Sequence, residues 1–172
     1  MSAATERLGT IERRDDHIDI RFERLYSRPV ESVWKALTDP ARLADWMGVS
    51  VVEPFVGGRY ETMLDGIKPM RGRVRIWEPP SLLEYDWRSD HAPQSIARWE
   101  LSPADTGTRV IFQHRGIPYA NANLMSPGWH VYLDHLGVLL DGAPPGDFEQ
   151  EWRRMQGIYA TRYGLEALTR EP

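Results

Sequence analysis

From Arg28 to Met47 the chain reads RPVESVWKALTDPARLADWM, and its apolar residues fall at helical spacing. Val30, Val33, Trp34 and Leu37 take positions i, i+3, i+4 and i+7 of one stripe. Pro29 suits the first helical position, where a missing N–H costs nothing. Asp39-Pro40 ends this helix and caps a second one, in which Leu43, Trp46 and Met47 share a face. Helices this short are not stable alone in water, so both must lie against a larger apolar surface.

That surface is predicted by alternation with period two in the flanking segments. Leu8–Arg13 and His17–Arg24 read as strands about an Asp15-Asp16 turn, with Ile18, Ile20 and Phe22 on one face of the second. Val51–Phe55 reads as a short strand running into Gly57-Gly58, a bend where Cβ atoms would clash. Tyr60, Thr62 and Leu64 then share a face before an Asp65-Gly66 turn. In Arg71–Trp77, strict alternation sets Val74 and Ile76 against Arg71, Arg73, Arg75 and Trp77, until Glu78-Pro79-Pro80 breaks the strand. Leu83, Tyr85 and Trp87 follow, then Ala97, Trp99 and Leu101, and after the Pro103–Gly107 turn Val110, Phe112 and His114. No helix intervenes, so an antiparallel meander is expected.

Ile117–Met125 reads as a loop, and Ser126-Pro127 as a helix start. Trp129, Leu133, Leu136 and Leu140 recur at helical spacing after it, widened by Tyr132 and Leu139, up to Gly142. A last helix, 147–170, opens on a capping box of Asp147 and Gln150, with Phe148, Trp152, Met155 and Tyr159 as its stripe. Glu149 and Glu151 lead it and Arg153, Arg154 and Arg162 follow, matching the helix dipole. One sheet curved around one long helix, with two small helices closing an end, buries every one of these faces. The fold class is therefore α+β, in a single domain spanning 1–172 with its core at about 9–142.

Composition narrows the function. The 172 residues carry a net charge of −4, which argues against a nucleic-acid partner, since that needs a concentrated basic face. There is no cysteine, which excludes disulfides, thiolate metal sites and cysteine nucleophiles. No apolar run reaches membrane-spanning length and MSAATERLGT lacks a signal-peptide core, so a cytoplasmic protein with no membrane partner is expected. Only two lysines, Lys35 and Lys68, stand among many arginines, a hint of a GC-rich bacterial genome.

An ordered set of residues adds a resemblance. Phe22-Glu23-Arg24 is followed by Pro29 with Val33-Trp34-Lys35-Ala36-Leu37-Thr38-Asp39-Pro40, then Leu43, Trp46 and Gly57-Gly58-Arg59. Gly72, Val74, Glu78-Pro79-Pro80, Leu83 and Trp87 come next. Trp99-Glu100-Leu101, Gly107-Thr108-Arg109, His114, Gly128-Trp129-His130, Leu133 and Leu136 complete the set. In this order they resemble the START-like (SRPBCC, helix-grip) superfamily, in the branch named after homologues of the heat-shock-protein-90 ATPase activator. The resemblance implies a helix-grip fold with an apolar cavity between sheet and long helix. It implies a small hydrophobic ligand in most members, cyclisation or hydrolysis in a few, and a chaperone partner in the eukaryotic co-chaperones. Because a fold does not fix a chemistry, the choice among these falls to the residues.

The inner faces nominate the ligand-binding set: Tyr60, Thr62, Leu64, Val74, Ile76 and Tyr85 first, then Trp87, Trp99, Phe112, His114, Trp129, Leu133 and Leu136. Flat apolar molecules suit such walls, with Trp N–H and Tyr O–H groups supplying polar contacts, unless the aromatics fill the space themselves. His114 is expected near a wet strand end, as a ligand donor or the general base of a cyclase- or hydrolase-type enzyme; the alternative is a core histidine paired internally. His130 and Asp134, four residues apart, read as a solvated rim, and neither a metal nor a cofactor is expected. Glycine-rich phosphate loops, nucleophile elbows and inward carboxylate pairs are absent from the pattern. Trp77, placed outward by alternation, is expected under the C-terminal helix, through Trp152 or Tyr159, or under a second copy in a homodimer.

Overall fold

The computed structural model describes residues 7–64 and 66–165. Thus Asp65 of the predicted turn, the N-terminal tail before Arg7 and the last residues of the predicted final helix lie outside the described residues. Six antiparallel strands form the larger sheet in the order β1 (Thr10–Arg14), β2 (His17–Tyr26), β9 (Gly107–Pro118), β8 (Ala92–Ala104), β7 (Leu82–Ser89) and β6 (Val74–Glu78). A second sheet of three strands holds β3 (Gly48–Val52), β4 (Tyr60–Leu64) and β5 (Lys68–Met70). The helices are α1 (Val30–Thr38), α2 (Pro40–Trp46), α3 (Ala122–Leu140) and α4 (Phe148–Tyr163). This is the α+β, helix-grip arrangement, with the expected meander divided into two ladders.

The division occurs at Gly72. Its ideal Cβ would stand 1.8 Å from the Asp86 carbonyl oxygen, so only glycine lets the chain pass here. On either side the two sheets exchange backbone hydrogen bonds: Tyr60 N–H to the Gly72 carbonyl, Val74 N–H to Gly58, and Arg71 reciprocally with Arg88. Gly58 is also crowded, its Cβ position lying 2.6 Å from the Glu53 carbonyl oxygen, so the Gly57-Gly58 bend is steric in origin. Gly72→Ala is expected to destabilise the protein by about 2 kcal/mol, the scale of forced overpacking. A urea midpoint equal to that of the parent would refute this.

The short helices follow their stripe. Val30, Val33, Trp34 and Leu37 are all buried, with Pro29 capping α1 rather than beginning it. The Asp39 carboxylate accepts from Ala41 N–H at 3.0 Å and caps α2. The Trp46 indole donates to the Ala36 carbonyl at 2.9 Å, locking α1 to α2.

Four expectations are corrected. The strand predicted at Val51–Phe55 runs from Gly48 to Val52, leaving Phe55 exposed, because the bend begins earlier. A bulge between Val74 and Ile76 then breaks strict alternation in β6. Ile76 comes to face Glu84 on the outer side, while Trp77 faces Leu83 on the inner side and packs edge-on against Trp34 at 5.3 Å. Trp77 is therefore already covered by α1, and the exposed tryptophan that suggested pairing of two copies is not outward. The α3 helix starts at Ala122, not Ser126, and holds Pro127 inside it. Proline has no N–H for the Asn123 carbonyl and its ring pushes that carbonyl outward. Here α4 supplies a substitute: Gln156 Nε2 donates to the Asn123 carbonyl at 3.4 Å, and beside it the Trp152 indole donates to the Leu124 carbonyl at 3.1 Å. Finally, α4 packs along α3 through Trp152, Met155 and Tyr159 rather than over the outer sheet face, and its last described turn closes on a left-handed Gly164.

Candidate functional site

The space between the large sheet and α3 is filled by rings. Trp87, Trp99, Phe112 and Trp129 are each at most 2% exposed and form one cluster. Phe112 lies 4.1 Å from Trp129 and 4.3 Å from Trp99 between ring centroids, and Trp87 lies 5.2 Å from Trp129. Tyr60 stacks on Tyr85 at 3.9 Å. Their polar atoms are used internally: the Trp99 indole donates to the Tyr85 hydroxyl at 3.2 Å, and the Tyr60 hydroxyl to the Leu37 carbonyl at 2.6 Å. Thr62, Val74, Leu133 and Leu136 are buried in the same packed interior.

His114 belongs to this interior as well, rather than to a wet strand end, since β9 continues to Pro118. The Trp129 indole N–H donates to Nδ1 at 2.9 Å, which makes Nδ1 an acceptor and places the ring proton on Nε2. Nε2–H then donates to the Ser95 hydroxyl at 2.7 Å, and that hydroxyl donates to the Trp87 carbonyl at 3.1 Å. Burial alone lowers the imidazole from its ordinary value to about 3. Both nitrogens are engaged and no surface is exposed, so His114 is the internally paired core histidine. The role of general base or ligand donor fails on access: a base must reach the proton it removes.

An open space remains at the mouth of this interior, between the small sheet, α3 and α4. It is a cleft of about 70 Å³, open to solvent on one side. Trp87 and Trp129 form its floor. Leu64 and Lys68 wall it from the β4–β5 hairpin, with His91 beside them. Leu124, Met125, Gly128 and Tyr132 of α3 line another side, and Phe148 and Trp152 of α4 close it. Of the residues nominated from sequence, Leu64, Trp87 and Trp129 reach this cleft, Ile76 lies on the outer face, and the others are packed behind it. The residues missed from α3 follow from the misplaced helix start. Moving that start to Ala122 puts Leu124, Met125 and Gly128 on the face that carries Tyr132. The missed α4 residues follow from the packing of α4 on this face, where the Trp152 ring lies 4.0 Å from where a Gly128 Cβ would stand.

A second polar group also departs from its expected setting. His130 is 1% exposed rather than on a solvated rim. Its Nδ1 lies 3.0 Å from the Tyr159 hydroxyl, which accepts the Gly9 N–H at 2.8 Å. Its Nε2 lies 3.3 Å from Asp134 Oδ2, whose other oxygen takes Arg7 at 2.8 Å. Burial lowers the His130 imidazole, which Asp134 only partly offsets. Burial works to raise the Asp134 carboxyl, but contact with His130 and the charges of Arg7 and Arg24 outweigh it and hold it low. This chain ties the N-terminal segment, α3 and α4 together. Among the described residues, no three His, Asp or Glu side chains converge as a metal would require.

Comparison with known proteins agrees with this architecture. Residues 27–141 match the family described as Activator of Hsp90 ATPase homolog 1-like protein, and the chain belongs to that family. The crystal structure of CalU16 from Micromonospora echinospora superposes with a TM-score of 0.74 at 25% identity, covering 90% of this chain and 96% of that one. Protein MLL2253 from Mesorhizobium loti gives 0.63 at 28% identity, over 72% of this chain and 96% of its own. The solution structure of the protein encoded by BPP1335 from Bordetella parapertussis gives 0.71 at 23% identity, with both chains fully covered, a likeness of fold. No match is found among curated proteins. No helix of the described residues is long and apolar enough to cross a membrane.

Proposed function

We propose that the protein binds a small, flat hydrophobic molecule in the cleft between the β4–β5 hairpin, α3 and α4. The observation that carries this reading is the composition of the cleft: two floor indoles and a third in its wall face an otherwise mostly apolar opening. Concave, aromatic-lined openings with few polar groups are the usual form of small-molecule sites. Its volume is about half of the ~150 Å³ that admits benzene to an engineered core. A ring therefore enters edge-on, partly in the mouth, with Met125 as the wall that yields most readily. Apolar burial supplies the affinity, at roughly 25 cal/mol per Å² removed from water.

The test is native mass spectrometry, followed by denaturation to release bound compounds, and a thermal-shift panel of aromatic compounds. Binding should be lost in Gly128→Leu, whose side chain fills the cleft. Gly128→Ala, which meets Trp152 at an ordinary 4.0 Å, should instead stabilise the fold by about 0.5–1 kcal/mol through helix propensity. An empty protein that no panel member stabilises, or binding untouched by Gly128→Leu, sinks the proposal.

A second reading, a protein-interaction module with a chaperone partner, is favoured by the outer face of the small sheet. Val49 stands opposite Met63 and Met63 opposite Pro69, an exposed apolar row across three strands, with Val51 and Ile67 also exposed. Exposed patches of this kind mark interaction surfaces. On this reading, paired Val49→Asp and Met63→Asp substitutions abolish co-sedimentation with a heat-shock-protein-90-type chaperone and leave ligand titrations unchanged. If the parent protein does not co-sediment, the reading fails.

A further inference from the structure

The proposed cleft carries one unambiguous charge. Lys68 is half-buried in its wall, and among the described residues no aspartate or glutamate lines the opening. Its direction follows from register: Lys68 pairs with Leu64, as Met70 pairs with Thr62, and Thr62 and Met70 are buried. Lys68 therefore lies on the inward face of the small sheet, where its neighbours are core residues. Among the described residues no carboxylate lies within ion-pair distance of its ammonium, although the chain has 25 acidic residues against 21 basic ones. Most arginines of the large sheet, by contrast, are matched: Arg75, Arg98 and Arg115 all converge on Glu84. Placing an ammonium at an apolar wall is unfavourable unless an opposite charge meets it there.

From this we infer that the ligand is an aromatic carboxylic acid, with its ring on the indoles of Trp87, Trp129 and Trp152 and its carboxylate on Lys68. The inference rests on the proposed binding at the cleft and specifies the ligand class. The apolar walls provide burial common to any flat molecule. Lys68 provides discrimination, because a charge-assisted contact at a half-dry mouth is worth more than one in open water.

The experiment compares 2-naphthoate with 2-naphthamide, alike in shape and different in charge, titrated into the parent, Lys68→Met and Lys68→Arg proteins. Indole fluorescence and calorimetry are the readouts. The parent is expected to bind the acid about tenfold more tightly than the amide, a ratio equivalent to about 1.4 kcal/mol. Lys68→Met should remove that ratio, the acid losing more affinity than the amide, and Lys68→Arg should keep most of it. Equal affinities for acid and amide in the parent, or a ratio that survives in Lys68→Met, overturn the acid assignment and leave the cleft in place. Binding of neither compound by the parent overturns the acid assignment; with an unresponsive thermal-shift panel, it overturns the cleft as well.

Discussion

Trp129→Ala should lower the free energy of unfolding by about 3–5 kcal/mol, the range for removing a fully buried indole. That is a large share of the 5–15 kcal/mol that holds an ordinary domain together, so the variant should sit near the edge of folding at 37 °C. Two effects add. The ring is 2% exposed and packs against Trp87, Trp99 and Phe112, so its loss leaves a void in a region where rigid rings relax little. Its N–H is also the donor to His114 Nδ1, which would be left as a buried acceptor without a partner. Trp129→Phe separates the two: it keeps most of the packing and loses only the hydrogen bond, at a cost of about 1–3 kcal/mol. Denaturant unfolding measures both. A cost below about 2 kcal/mol for the alanine variant would show that the interior is not packed as described.

The filled interior also explains where binding is proposed. In a helix-grip fold the long helix lies across the concave sheet, and the residues between them decide whether a cavity exists. Here the inward positions of β7, β8 and β9 carry mostly large side chains, with the small Ala97 and Ser95 among them, and the rings meet at contact distance. A mostly apolar opening remains where the packing partners change, at the junction of the small sheet, α3 and α4. Gly128, without a side chain, borders that junction on one side and the inward Lys68 on the other.

Element type was legible in the sequence wherever one period ran uninterrupted. The stripe Val30, Val33, Trp34, Leu37 and the alternation of Leu83, Tyr85, Trp87 placed those side chains on the correct faces, since burial of one face is what each pattern encodes. Two local events were not legible. The bulge at Val74/Ile76 exchanges the faces of Ile76 and Trp77 without a glycine to mark it. In the helical run before Pro127 the freed Asn123 carbonyl is satisfied from α4, a tertiary contact that no local reading of Ser126-Pro127 contains. Both errors bear on the site, one by adding Ile76 and the other by hiding Leu124, Met125 and Gly128. Lys68 escaped because a three-residue strand with a central proline carries no periodic signal. His114 was placed on the correct face, but its partners come from β8 and α3, and only they decide between a working base and a structural group.

That decision has a measurable consequence in acid. Folded His114 stays unprotonated down to about 3, whereas in the unfolded chain it takes a proton below its ordinary 6.5. Between those values the unfolded state binds the extra proton, so stability falls as pH falls. The contribution is fully present above pH 6.5 and is lost at up to about 1.4 kcal/mol per pH unit below it, or about 3 kcal/mol by pH 4.5. His130, also lowered by burial, acts in the same direction, and Asp134, held low, adds a loss at still lower pH. These two make up a background that substitution at His114 leaves in place. His114→Gln should weaken the protein at pH 7, yet its stability should fall less steeply than the parent's between pH 6.5 and 4.5, by the equivalent of one proton. The comparison isolates His114, because its surroundings are Ser95, Trp87, Phe112 and Trp129, with no charged group to share the shift. Equal acid slopes in the two proteins would mean that the imidazole titrates freely in the folded state. In that case at least one ring nitrogen would be accessible, and the case for His114 as a base would reopen.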